Sequence, residues 1–271
     1  MAVVISRDYV LSSPTSSGDT ETNDNPIIGY RNIINSSNIV SDFANSSFPV
    51  SNLVNPATNL KWKSTVASLQ YITITPTINA IDYVAIARHN LATSFTPISI
   101  EGFDGVTWSE LVSPVILADD RPAIFRFPLQ SLLQVRIKLD VGFDIPFISV
   151  VYCGELLVLQ RRIYVGHIPI PFGREDNIVN GKSESGEFLG RIVLGSSVSN
   201  AVSLKNITPL WYRAYLDPFI VSSKTIPFFF AWRPMTYPEE VGYAWITNNP
   251  KAVNQSVNGF MSIDLQLSGV S

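Results

Sequence analysis

PVSNLVNPATNLKWKS, residues 49–64, and the YITITP that follows at 71–76 form the stretch on which the fold turns. The first is a loop dense in Asn, Pro and Thr that runs into Trp62. The second alternates apolar and hydroxyl side chains with the two-residue period of a strand that has one face in a core. A loop of this kind leading into a half-buried strand is expected at the mouth of a β-sandwich.

The pattern spreads outward in both directions. Tyr83–Ala87 is a continuous apolar run, and strand-like segments recur at Thr96–Glu101, Ala123–Phe127 and Gln134–Leu139. Asp104-Gly105, Asp119-Asp120 with Pro122, and Val141-Gly142 before Pro146 supply turns between them. IPFISVVYCGELLVL, residues 145–159, reads as consecutive buried strands. Regular short strands with such punctuation predict an all-β fold.

The texture changes after Leu159, where Pro, Gly and charge enter together, and a second strand-rich unit is expected over 160–271. Its strands are predicted at Glu187–Leu194, Ala201–Ile207, within 225–234, at Gly242–Thr247 and at Gly259–Leu267. ITPLWYRAYLDPFIVSS, residues 207–223, is the best helix candidate, with Thr208 as cap, Pro209 at the first helical position and Pro218 expected to end it early. Residues 1–26 form a separate arm. Residues 12–26 are too polar to offset the entropy of ordering, and AVVISRDYVL before them reads either as a short strand or as an arm ordered by a partner.

Length and composition bound the function. A chain of 271 residues is expected to hold two domains. Charged residues make up only 15%, against the ~25% of an average soluble domain. Either polar uncharged loops cover an all-β surface, or partners in a permanent assembly do. The net charge of −3 and the absence of a basic run argue against nucleic acid. No window reaches the ~18 apolar residues that would span a membrane, and the start of the chain lacks the pattern of a secretory signal. The single cysteine, Cys153, excludes an internal disulfide.

Catalytic chemistry finds no support. His89, in RHNL, reads as a structural imidazole, and His167 has no second ligand at metal spacing. Asp119-Asp120, Glu175-Asp176 and Glu239-Glu240 are adjacent pairs, whose side chains point to opposite faces of a strand and do not converge as a glycosidase acid pair must. No Gly-x-Ser-x-Gly elbow occurs, and Val50–Leu60 holds no Asp or Glu for calcium. No enzyme activity, cofactor or metal is expected.

Residues 27–159 resemble the discoidin, or galactose-binding-like, jelly roll. The likeness lies, in order, in SNLVNPATNLKWKS, YITITPTINAIDYVAIARHNL, SIEGFDGVTWSEL and QVRIKLD. With ISVVYCGELLVL closing the sandwich, it is more similar to jelly rolls in bacteriophage tail proteins than to those of secreted lectins. GEFLGRIVLGS, ITPLWYRAYLDPFI, PFFFAWRPMTYPEEVGYAWI and GFMSIDLQLSG resemble the second domain of distal-tail or minor-tail proteins. The resemblance implies a structural virion component, assembled in the host cytoplasm. It would be a homo-oligomeric ring joining the tail tube to other tail or baseplate proteins.

The alternative is an adhesin module that grips a host glycan through Asn52, Asn55, Thr58 and Trp62 of the loop, with Asp104 and Trp108 of the next hairpin. Trp62 and Trp108 could stack a sugar, although a Trp beside such a loop more commonly wedges a core. Trp211, Tyr215, Phe228, Phe229, Phe230 and Trp232 are candidates for a subunit interface. A strand with consecutive aromatics needs cover on both faces, which means either a central strand or a neighbouring subunit.

Overall fold

The computed structural model describes residues 2–6, 24–77, 80–163, 166–255 and 259–270, and it is mainly β. In chain order the first strands are β1 (Val3–Ile5), β2 (Ile27–Gly29), β3 (Ile39–Ser41), β4 (Trp62–Lys63), β5 (Gln70–Ile74) and β6 (Ala80–His89). They are followed by β7 (Ile98–Phe103), β8 (Trp108–Val115), β9 (Ala123–Ser131), β10 (Gln134–Leu139), β11 (Phe147–Gly154) and β12 (Leu157–Val158). The remainder are β13 (Arg174–Lys182), β14 (Phe188–Ile207), β15 (Phe228–Ala231), β16 (Val241–Ile246), β17 (Val253–Asn254) and β18 (Met261–Val270).

Three sheets stack in layers. The outer sheet has the order β3-β5-β10-β7-β8, the middle sheet β1-β9-β6-β11-β4, and the third β12-β2-β15-β16-β18-β14-β13. Outer and middle sheets form the jelly-roll sandwich around Ile72, Ile74, Ile100, Ile137, Val84, Ile86, Phe125 and Val151. A second core joins the middle sheet to the third through Tyr83, Ala85, Ile124, Tyr152, Phe229 and Tyr243. The sequence pattern follows from this layering. In the outer sheet, β5 and β10 alternate buried and half-buried residues, while β6 and β11 lie between two cores and are nearly continuously buried.

The contact between layers is close. A side chain on Gly29 would meet the Tyr83 ring at 2.8 Å, and the Tyr83 hydroxyl donates to the Arg31 carbonyl at 2.7 Å. Hydrogen bonding groups β2 and β12, from the two ends of the segment expected to form the sandwich, with the third sheet. The N-terminal stretch is a strand: β1 pairs parallel to β9, and the Ala2 and Val3 N–H groups both donate to the Pro238 carbonyl. That strand therefore fastens the sandwich to the C-terminal unit. Of the segment expected to be mobile, residues 12–26, residues 12–23 lie outside the described residues.

β15 is a central strand between β2 and β16. Phe228 and Phe230 face a third core, roofed by the helical segment through Trp211, Tyr212, Leu216, Phe219 and Ile220, whereas Phe229 faces the middle sheet. The helical segment starts as α (Pro209–Trp211), passes through a π turn (Tyr212–Leu216) and resumes as α (Asp217–Ser222). Pro218 does not end it as expected. Proline lacks the N–H and crowds the carbonyl four residues back, and the wider π turn just before it absorbs both effects. Thr208 sits at the N-cap but makes no cap bond there; its hydroxyl accepts from Gln160 Nε2 at 3.0 Å instead.

β13 and the first half of β14 leave the body as a two-stranded ribbon. β18 pairs with β14 only from Val198 onward, so residues 188–197 of β14 have β13 as their one strand partner. The two strand segments expected at 187–194 and 201–207 are thus one 20-residue strand.

Candidate functional site

At the end of β6 the backbone takes an unusual turn. Arg88 has φ +55°, a left-handed conformation that costs a residue with a Cβ, and its side chain is exposed. His89, beside it, is 3% exposed and points inward. Its Nδ1 accepts the Leu91 N–H at 3.3 Å, which assigns the proton to Nε2, 2.9 Å from the Arg121 carbonyl. Burial lowers the His89 pKa, outweighing the Arg121 carbonyl and the nearby Asp120 and Asp119, so the imidazole is neutral at pH 7.

Three loops are fastened around this point. Asn90 donates from Nδ2 to the Ile145 carbonyl at 3.1 Å and accepts the Phe147 N–H at 2.7 Å, joining the 90–97 and 140–147 loops. Asp120 accepts the Ala92 N–H at 2.9 Å and the Thr93 N–H at 3.2 Å. Asn52, in the 3-10 turn Val50–Val54, donates to the Lys61 carbonyl at 2.8 Å. Between the loops lies an open cleft of ≈ 430 Å³ bordered by Thr58, Asn59, Lys61, Arg88, Thr93 and Phe147, with His89 beneath. This volume lies within the range of small-molecule sites. The Lys61 ammonium stands 4.8 Å from the centre of the Phe147 ring.

Two cations, several hydroxyl and amide groups and one aromatic ring face the space, and Asp120 is the one carboxylate among its lining residues. Two carboxylates would be needed for glycoside hydrolysis in its ordinary form. Among the described residues no cluster of three His, Cys, Asp or Glu side chains could hold a metal ion, and no helix is long and apolar enough to cross a membrane.

The expected site residues divide. Thr58 borders the cleft, and Asn52 braces it from behind. Asn55 is exposed at the end of the 3-10 turn, its Oδ1 accepting the Ala57 N–H at 2.9 Å. Trp62 is fully buried in the sandwich core, so it is a wedge and not a sugar platform.

Asp104 and Trp108 belong elsewhere. β7 starts beside the cleft loops and carries the chain roughly 20 Å away over its six residues, so the β7–β8 hairpin sits at the far end of the sandwich. There Asp104 accepts the Val106 and Thr107 N–H groups at 2.7 and 2.8 Å, which lower its pKa. Trp108 lies under the Arg136 guanidinium, 3.9 Å from the ring centre. Among the described residues no hydrogen bond or ring contact joins these two residues to the loop at 49–64.

The candidate interface aromatics are largely internal. Phe228, Phe229 and Phe230 are at most 3% exposed within this one chain, so its own layers supply the cover their pattern demands. Trp211 is buried beside half-buried Tyr215, and Trp232 is half-buried, its indole N–H bonded to Glu240 and its ring stacked on Tyr237.

No protein-family model and no curated protein matches this sequence. Among solved structures, it is similar to a chitosan-binding module of a chitosanase/glucanase from Paenibacillus sp. IK-5, at 12% identity and a TM-score of 0.41 over 46% of this chain and 100% of that one. The family 32 carbohydrate-binding module of Clostridium perfringens NanJ, in complex with galactose, matches at 13% identity and 0.38, over 43% of this chain and 92% of that one. A pectin-binding module matches at 12% and 0.38, over 46% and 92%. Likenesses this distant carry no inference about what the chain binds.

Proposed function

We propose that the cleft at the end of β6 is a glycan-binding site, and that the preferred sugar carries a carboxylate. The observation that supports this best is the meeting of Lys61, Arg88 and the Phe147 ring around an open space whose floor, His89, is neutral. A guanidinium and an ammonium suit a uronate-type carboxylate, with the planar fork of arginine able to bind both oxygens. The aromatic face suits the C–H face of a pyranose. The left-handed turn at Arg88 is a local cost of the kind that gathers at functional sites.

A glycan array read with the wild-type chain, Arg88→Gly and Lys61→Ala tests the reading. Retention of uronate-bearing glycans by the wild type, lost in both variants, supports it. Absence of any retained glycan, or retention unchanged in both variants, removes it.

A second reading is favoured by the protruding ribbon. It makes the chain a structural subunit of a tailed-phage tail tip or baseplate, working as a symmetric oligomer with the sandwich as its outward, glycan-contacting part. The two readings are compatible, since they use opposite ends of the molecule's chemistry: a polar cleft and an apolar ribbon.

A further inference from the structure

The ribbon formed by Arg174–Lys182 and the part of β14 from Phe188 to Ser197 is exposed along nearly its whole length. A soluble ribbon with both faces open should be polar, and this one is not. Phe188, Leu189, Ile192, Val193 and Leu194 are 55–68% exposed, and Val179 is 48% exposed. Val179 pairs with Ile192 and Ile178 with Val193. Successive residues of a strand point to opposite faces, so each face carries an apolar cross-strand pair. Two register shifts leave Leu194 and Leu189 bulged, which adds twist and turns further apolar groups outward.

An isolated two-stranded hairpin is marginal in water, so a ribbon of this composition needs cover. The six exposed residues present roughly 700 Å² in all, about 350 Å² on each face, so only cover of both faces together approaches the ~800 Å² per partner of a specific protein interface. Arg174, Lys182 and Arg191 are interspersed with Glu175, Asp176, Glu184 and Glu187, so the ribbon has no basic field for an anionic membrane or for nucleic acid. The body of the same chain exposes further apolar side chains, among them Phe172, Leu210, Val221 and Trp245.

We infer that the occupant is a second copy of this chain, and that the ribbon lies between two neighbours, one on each face. An isologous dimer brings one self-complementary patch to a two-fold axis and leaves the other face open. A ribbon that is apolar on both faces matches a cyclic array of three or more copies. This inference rests on the assembly reading above and is independent of the cleft.

The test is native mass spectrometry and light scattering on the wild-type chain, on Val179→Ser/Ile192→Ser for one face, and on Ile178→Ser/Val193→Ser for the other. The expected result is a wild-type species of three or more copies that each double variant disperses at the same concentration, with an unchanged far-ultraviolet circular dichroism spectrum because these side chains belong to no core. A wild-type oligomer that both double variants leave intact overturns the ribbon's role while the assembly reading stands. A monomeric wild type overturns both, and a wild type that stops at two copies overturns the cyclic arrangement.

Discussion

The Tyr243 hydroxyl donates a hydrogen bond to the Pro56 carbonyl at 2.8 Å, so the third sheet holds the loop that borders the cleft. Tyr243 is itself buried and packs edge-on against Tyr152, whose hydroxyl donates to the Pro227 carbonyl at 3.0 Å. Two units that the sequence separates are thus joined through tyrosines at the layer contact, and the cleft inherits its shape from both.

Tyr243→Phe removes that bond and leaves the Pro56 carbonyl without its protein donor. It should cost about 1 kcal/mol of stability, measured by denaturant titration. Glycan affinity should fall a few-fold, with the glycan preference unchanged, because Lys61 and Arg88 remain.

Arg88→Gly separates binding from strain. Glycine adopts the left-handed conformation without the cost of a Cβ, so the variant should be as stable as the wild type or up to ~1 kcal/mol more stable. Glycan affinity should drop at least tenfold. Thermal denaturation and a binding titration on the same preparation read both effects.

Asp82 gives the fold a pH dependence. Burial raises its pKa from 3.8 to about 7, against the opposing effects of the Leu156 N–H and Arg126. Between those two values the folded chain keeps a proton that the unfolded chain has released, so stability falls as pH rises through this window. Asp82→Asn should flatten that part of the profile and, at pH 8, stabilise the chain by roughly 1–3 kcal/mol. Denaturant titrations from pH 4 to pH 8 check it.

Phe229→Ala should behave as a core deletion and not as an interface change. Phe229 is fully buried between β15 and the middle sheet, and its loss should cost about 3–5 kcal/mol. The drop should appear equally in dilute and concentrated solution, whereas an interface residue would show its effect through concentration.

Much of the fold is legible in the sequence, because burial geometry writes itself into periodicity. The alternation in Gln70–Ile74 and Gln134–Leu139 marks the outer sheet, and the unbroken apolar runs of β6 and β11 mark a sheet covered on both sides. β13 is not legible: REDNIVNGK has the Asn, Gly and charge of a loop, and it pairs because β14 extends beyond the body to meet it. The π turn before Pro218 is hidden likewise, since residue type records the missing N–H but not how the backbone adapts.

The cleft is less legible than the fold. Its residues come from four separate stretches, around Thr58, Arg88, Asp120 and Phe147, each of which alone reads as a loop or a strand end. The left-handed turn that exposes Arg88 leaves no mark, since arginine does not advertise positive φ as glycine does. The glycan-gripping alternative puts Asp104 and Trp108 at the same mouth as the 49–64 loop, whereas β7 carries them to the other end of the sandwich.

The most direct test is a crystal structure of the chain grown with an excess of a uronate-containing disaccharide. Sugar density seated between Lys61, Arg88 and the Phe147 ring, with the carboxylate toward the two cations, is the predicted result. Density at the Asp104–Trp108 hairpin, or an empty cleft at saturating sugar, would contradict the account.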